Sequence, residues 1–246
     1  MALKASPDDQ ALLLDLQALD TKLSQLDHRA KSLAEHATLD ALGKRADVLR
    51  RSFAQQRGGL EDVALELSRV ESDVKTVETR ITRDSERLQA SSSVKDVAAL
   101  EQELTALKKR LGDLEEIELA VMERMEQQQA DSDATSGELA EIVGQISTVE
   151  ADRDAALASI KGEHTTAAVG RRTIEGNVPA ELLALYERQR ARYGSGASML
   201  RGGVSMASGV KLLENEMQAI RAAAPDDVIM CASSEAILVR TNESGL

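Results

Sequence analysis

Apolar residues recur along this chain at alternating steps of three and four. Leu16, Leu19, Leu23, Leu26, Ala30, Leu33 and Ala37 form a first stripe. That spacing keeps one face of an α-helix oily and predicts a coiled-coil seam. Ser6 and Pro7 stand before Asp8 and Asp9, which is a good helix start. The stripe then changes phase. Leu39, Leu42, Ala46, Leu49 and Phe53 begin a second register, continued by Leu60, Val63, Leu67, Val70, Val74, Val77, Ile81 and Leu88. A phase shift near His36–Asp40 predicts a local change of supercoil or a kink. The pair Gly58–Gly59 should weaken the helix by about 1 kcal/mol per glycine.

The segment QASSSVKD, residues 89–96, interrupts the pattern with small polar residues and reads as a turn. Any of its three serines can cap the helix that follows. A third stripe runs from Val97 through Leu100, Leu104, Leu107, Leu111, Leu114, Val121 and Met125. It resumes at Leu139, Ile142, Ile146, Val149, Ala156 and Ile160, after Gln128, Ser132 and Thr135 have occupied its middle positions. Those polar residues make poor knobs, so the seam should be loosest there. Two long seams joined by a short turn predict an antiparallel helical hairpin over residues 1–165. With the turn near Ser92, residues whose numbers add to about 185 should face each other, as Leu60 with Met125 and Leu39 with Ile146. An extended parallel homodimer is the competing arrangement, and association of hairpins stays open as well.

Composition changes after Ile160. Gly162, Gly170 and Gly176 break the heptads, and Pro179 starts a short helix over 179–193 with Asn177 or its neighbour as cap. GSGASMLRGG reads as a flexible loop and Ile237–Val239 as a strand. Residues 166–246 therefore form a separate module. The fold class is mainly α: a long antiparallel coiled-coil hairpin followed by a small α/β module.

The chain has 246 residues, no Trp, two Tyr and one Phe, a palette suited to narrow helical seams rather than a thick core. A net charge of −12 argues against binding nucleic acid along its whole length. The N-terminus lacks the apolar run of a signal peptide, and no stretch of about 18 apolar residues occurs. One cysteine fits a reducing compartment, so the expected location is the cytoplasm. No membrane partner is expected. His28, His36 and His164 are scattered along helices, and no Gly-rich phosphate loop or nucleophile with a partnered base is present. An enzyme is not expected.

Several segments carry a resemblance: NVPAELLALYERQRAR, IRAAAPDDVIMC, AILVRTNESGL and the second-helix start SSVKDVAALEQELTALKKRLGDLEE. Together with the hairpin they resemble, over essentially the full chain, bacterial zinc-ribbon proteins with an N-terminal coiled-coil hairpin, and the mycobacterial members in particular. The resemblance implies a zinc-ribbon-like module with two C-x-x-C knuckles holding one zinc ion. On this chain the ligand positions are Ser205, Ser208, Cys231 and Ser234, so three of the four are serine. A neutral hydroxyl is a poor zinc ligand, and the expectation is a degenerate site with zinc lost and no cofactor.

Arg188, Arg190, Arg192 and Arg201 form a local basic patch against an acidic chain, with Glu181, Glu187 and the hairpin as competing partners for them. The function expected is a non-enzymatic adaptor or scaffold that binds a protein partner. The alternative is a nucleic-acid binder using those four arginines, whose forked guanidinium groups suit phosphates.

Overall fold

Ser6 begins the first helix as its sequence suggests. Its Oγ accepts a hydrogen bond from the Asp9 backbone N–H at 3.1 Å, and Pro7 sits in the first turn. In the computed structural model, which describes residues 3–246, α1 (Pro7–Lys31) ends at Ser32, and α2 (Ala34–Ala90) follows at once. The change of seam phase is thus absorbed by opening the backbone at Ser32–Leu33, ahead of the His36–Asp40 region. The two glycines leave α2 unbroken. Ser91–Ser93 make the turn, and α3 (Val94–Glu175) begins with the Ser93 hydroxyl facing the Asp96 N–H at 3.5 Å.

The chain divides into two units. The second, Glu35–Ala151, is the hairpin of α2 against α3. Ala46 and Val63 on α2 and Leu100, Leu104, Leu114, Val121 and Ile142 on α3 are buried along its seam. Cross-helix pairs report the register: Arg80 with Glu103 at 2.5 Å, Arg45 with Glu138 at 4.0 Å, and Arg124 with Glu66. All three lie within about a turn or two of the facing expected from the turn position. Each pair is exposed and adds at most about 1 kcal/mol; the buried aliphatic seam holds the hairpin.

The first unit comprises residues 1–34 and 152–246. It contains α1, the last part of α3, α4 (Ala180–Tyr193) and α5 (Glu214–Ala222) around a five-stranded sheet. The strands are β1 (Ala197–Arg201), β2 (Val204–Ser205), β3 (Val210–Lys211), β4 (Ile229–Met230) and β5 (Ile237–Val239), in the order β3-β2-β1-β5-β4. β1 and β5 run parallel, pairing Ala197 with Ile237 and Met199 with Val239, and the other pairings are antiparallel. Alternation along β5 splits the core. Ile237 and Val239 join Leu13, Leu16, Leu182 and Tyr186, while Leu238 joins Leu200, Met217, Ile220 and Cys231.

Three details depart from the sequence reading. GSGASMLRGG is a strand and a tight turn rather than a flexible loop, because β1 finds a parallel partner far along the chain and Gly202 and Gly203 both take positive φ. Pro179, not Asn177, occupies the cap position of α4, with no side-chain hydrogen bond. The unit holding the module also includes α1 and residues 152–175 of α3, whereas the pattern placed the boundary at 165. A module of that size buries too little apolar surface alone, and α1 covers one face of its sheet with Leu13 and Leu16.

Gly196 marks where α4 and β1 meet most closely. A Cβ there would stand 2.5 Å from Tyr186 Cδ2 and 2.7 Å from Tyr186 O. Gly196→Ala is expected to cost about 2–3 kcal/mol through overpacking, read as a lower urea midpoint followed by tyrosine circular dichroism.

Candidate functional site

Both knuckles fold as the same turn. After Ser205, the Gly209 N–H returns to the Ser205 carbonyl at 2.8 Å, and Gly209 has φ +66°. After Cys231, the Glu235 N–H returns to the Cys231 carbonyl at 2.8 Å, and Glu235 has φ +56°. A left-handed residue closes each turn, glycine in one and a non-glycine residue in the other, the latter held there at a cost of about 1 kcal/mol. The resemblance implies the four knuckle positions, and the two stretches that carry them share one backbone turn.

The side chains of the turns converge on the thiol. Cys231 is 1% exposed, and Ser233 Oγ lies 3.2 Å from its sulfur. Ser208 Oγ lies 2.9 Å from Ser233 Oγ, extending the chain of hydroxyls into the first knuckle. Ser205, fully buried, shares a hydrogen bond with Ser198 Oγ at 3.1 Å, and the buried Ser234 Oγ lies beside the thiol. Burial pushes the Cys231 pKa up, but the hydroxyls of Ser205, Ser233 and Ser234 stabilise the thiolate and bring it down to about 7.

A folded-state pKa below the ordinary value of 9.0 means that ionised Cys231 stabilises the fold. That contribution is complete above pH about 9 and is lost as the pH falls through about 7. Stability should therefore rise from pH 7 to pH 9, and Cys231→Ser should flatten that rise in urea titrations.

One thiol and three hydroxyls do not match the thiolate and imidazole sets of structural zinc. Among the described residues no group of three or more His, Cys, Asp and Glu side chains is placed to hold a metal ion.

The four arginines do not share one face. Residues 188 and 192 lie one turn apart on α4, and 190 points the other way. Arg188 is exposed, and the Arg192 guanidinium sits 5.2 Å from the Tyr193 ring centroid. Arg190 turns inward to Asp20 Oδ1 at 2.8 Å and to Glu187 Oε2 at 3.0 Å. Arg201, on β1, pairs with Glu243 at 2.9 Å.

Asp20 is the centre of a network that periodicity could not reveal. Its side chain is 3% exposed and accepts from Arg171 Nε at 2.7 Å, Arg190 Nη1 at 2.8 Å and the Tyr186 hydroxyl at 2.7 Å. Arg171 also bonds Glu187 and Glu175. Gln17 Oε1 accepts from the Gly196 N–H at 2.7 Å. Burial and the hydrogen bond to Asp20 push the Tyr186 pKa far above its usual range. The hydrogen bond to Asp20 likewise raises Arg171, with burial opposing it. The network joins α1, α3 and α4. Its arginines are balanced by acids within the fold.

The histidines play minor parts. His164 Nε2 lies 3.6 Å from Asp27, and His28 Nδ1 lies 3.5 Å from the Ser32 hydroxyl. Among the described residues no helix is long and apolar enough to cross a membrane.

Comparison with known proteins agrees with this architecture. The CT398-like coiled coil hairpin domain matches residues 16–194. An uncharacterized protein of Mycobacterium tuberculosis, Rv2229c, is 33% identical over 97% of this chain and 98% of its own length. A solved structure from Mycobacterium smegmatis is 33% identical, with TM-score 0.86 over 97% of this chain and 100% of that one. The structure of CT398 from Chlamydia trachomatis superposes with TM-score 0.66 at 18% identity, over 95% of this chain and 98% of that one, which speaks for the fold.

Proposed function

The chain belongs to the CT398-like coiled coil hairpin family, and from that premise we propose that it is a non-enzymatic adaptor that binds a partner protein through its hairpin, its first unit or both. The observation that carries this reading is the state of the ionisable groups in the first unit. Asp20, Arg171, Arg190, Glu187 and Tyr186 are spent on one another, and the thiol is sheathed in hydroxyls. Such groups build a rigid surface rather than a reaction centre. The adaptor acts in the cytoplasm, where the free thiol of Cys231 stays reduced.

The knuckles work without zinc. Their turns are closed by backbone hydrogen bonds and their interior is filled by hydroxyls, so the frame stands where a metal would otherwise hold it. Metal analysis of protein purified without chelator should find far less than one zinc per chain; a stoichiometric amount overturns this.

The competing reading is a nucleic-acid binder. Arg188 and Arg192 share a face of α4 and favour it, while Arg190 is withdrawn into the Asp20 network. Affinity capture with the full chain, with and without nuclease, separates the two. A protein set that survives nuclease and the Arg188→Glu, Arg192→Glu change supports the adaptor. Loss of the set on either treatment shifts the assignment to nucleic acid.

A further inference from the structure

In the second unit the two helix faces opposite the seam carry opposite charge. Along α2 from Leu65 to Arg83, those outer positions hold Arg69, Lys75 and Arg83 among serines and threonines, and no acid. The acids of this stretch, Glu66, Glu71, Asp73 and Glu78, stand beside the seam instead. Arg69 and Lys75 are exposed, and among the described residues neither is in an ion pair. Lys75 and Arg83 border a groove of about 550 Å³ that Ser72, Thr76, Thr79 and Arg80 also line. The Thr76 and Thr79 hydroxyls donate to carbonyls of their own helix at 2.8 and 2.7 Å.

α3 presents the reverse. From Leu111 to Asp152 its only base is Arg124, which turns to Glu66. Its outer positions hold Asp113, Glu116, Glu123, Glu126, Asp133 and Glu141. All six are exposed, and among the described residues none is in an ion pair. Ala120, Ala130, Ala134 and Gly137 stand between them, so another helix can approach closely. Each outer face also exposes one leucine, Leu65 at 58% and Leu119 at 62%.

We propose that the outer face of α2 in one copy of this chain packs against the outer face of α3 in a second copy. The spacing of the charges selects that occupant. With the two helices parallel and Leu65 beside Leu119, Arg69 falls level with Glu123. Lys75 then falls between Glu126 and Asp133, and Arg83 between Asp133 and Glu141. Cations meet carboxylates along about 27 Å of helix. Exposed pairs are weak one by one and the strip is narrow, so the association is reversible and salt-sensitive. The contact lies wholly in the second unit and does not rest on the adaptor reading.

Charge reversal in the full chain tests this by sedimentation velocity. Wild-type protein should self-associate as its concentration rises, and raising salt from about 0.05 M to about 0.5 M should weaken that about tenfold. The α2 variant Arg69→Glu, Lys75→Glu, Arg83→Glu should stay monomeric where the wild type associates. So should the α3 variant Glu123→Lys, Glu126→Lys, Asp133→Lys. All six positions are exposed, so both variants should keep the wild-type circular dichroism. An equimolar mixture of the two should associate again, because their reversed faces are complementary. A wild type that stays monomeric at low salt, a variant that associates alone, or a mixture that does not associate overturns the contact. Polyuridylic RNA bound by a monomeric wild type and lost in the α2 variant also overturns it, and assigns the α2 face to nucleic acid.

Discussion

Ser205→Cys, Ser208→Cys and Ser234→Cys made together should convert the first unit into a zinc protein. The physical case lies in the backbone. Both knuckles already hold the same closed turn, with left-handed Gly209 and Glu235 in matching places. The hydroxyls of Ser205 and Ser234 act on the Cys231 sulfur, and Ser208 is joined to it through Ser233. Sulfur replaces oxygen with little change of shape, and three added thiols complete a four-thiolate set. Each thiolate that binds releases a proton, so uptake should strengthen from pH 6 to pH 8. Binding on the order of 10 kcal/mol is the scale of small zinc domains. The variant should carry one zinc per chain, and cobalt in its place should give the absorption bands of tetrahedral thiolate coordination. A folded triple variant that binds neither metal shows that the turns do not aim their side chains at one point.

Asp20→Ala should be the most damaging single change. It removes the shared acceptor of Arg171, Arg190 and Tyr186 from a site where its own side chain is 3% exposed. Arg171 and Arg190 would lose the carboxylate they share and keep only the partly exposed Glu175 and Glu187, and the Tyr186 hydroxyl would keep only its 3.4 Å contact with Gln17 Oε1. Breaking a buried pair from one side costs about 3–5 kcal/mol. Both tyrosines, Tyr186 and Tyr193, lie in the first unit. Their near-ultraviolet circular dichroism therefore reports this unit, while the far-ultraviolet signal also includes the hairpin. The tyrosine transition should move to much lower urea. Asp20→Asn keeps an acceptor for Tyr186 but loses the charge, and should fall between the two. A tyrosine transition unmoved by Asp20→Ala would mean that the arginines find other partners at no cost.

Much of the hairpin is written locally. Leu100, Leu104, Leu114 and Val121 recur at helical spacing and are buried where that spacing predicts. The serine bend and the polar gap at Gln128–Ser132 were legible for the same reason, since a break in a period is as visible as the period. The knuckle positions could be found by spacing together with resemblance, but not their chemistry. Ser233, which bridges Cys231 to Ser208, falls outside the x-x spacing, so that spacing does not mark it. Gly196 carried no signal at all, because the need for it comes from the Tyr186 ring pressed against it.

The sequence by itself determined the two facing seams, the bend between them and where the short helix and final strand fall. Each of these depends on neighbours a few residues apart, whose side chains share a face by helix or strand geometry. Only the tertiary structure decided that α1 joins the small sheet rather than extending a plain hairpin, that β1 lies parallel to β5, and that Arg190 turns inward to Asp20. Those partners are 170 residues apart for Arg190 and 151 for Arg171. A buried carboxylate draws in whichever guanidinium the closed chain brings within reach, and no local period in the sequence records that choice.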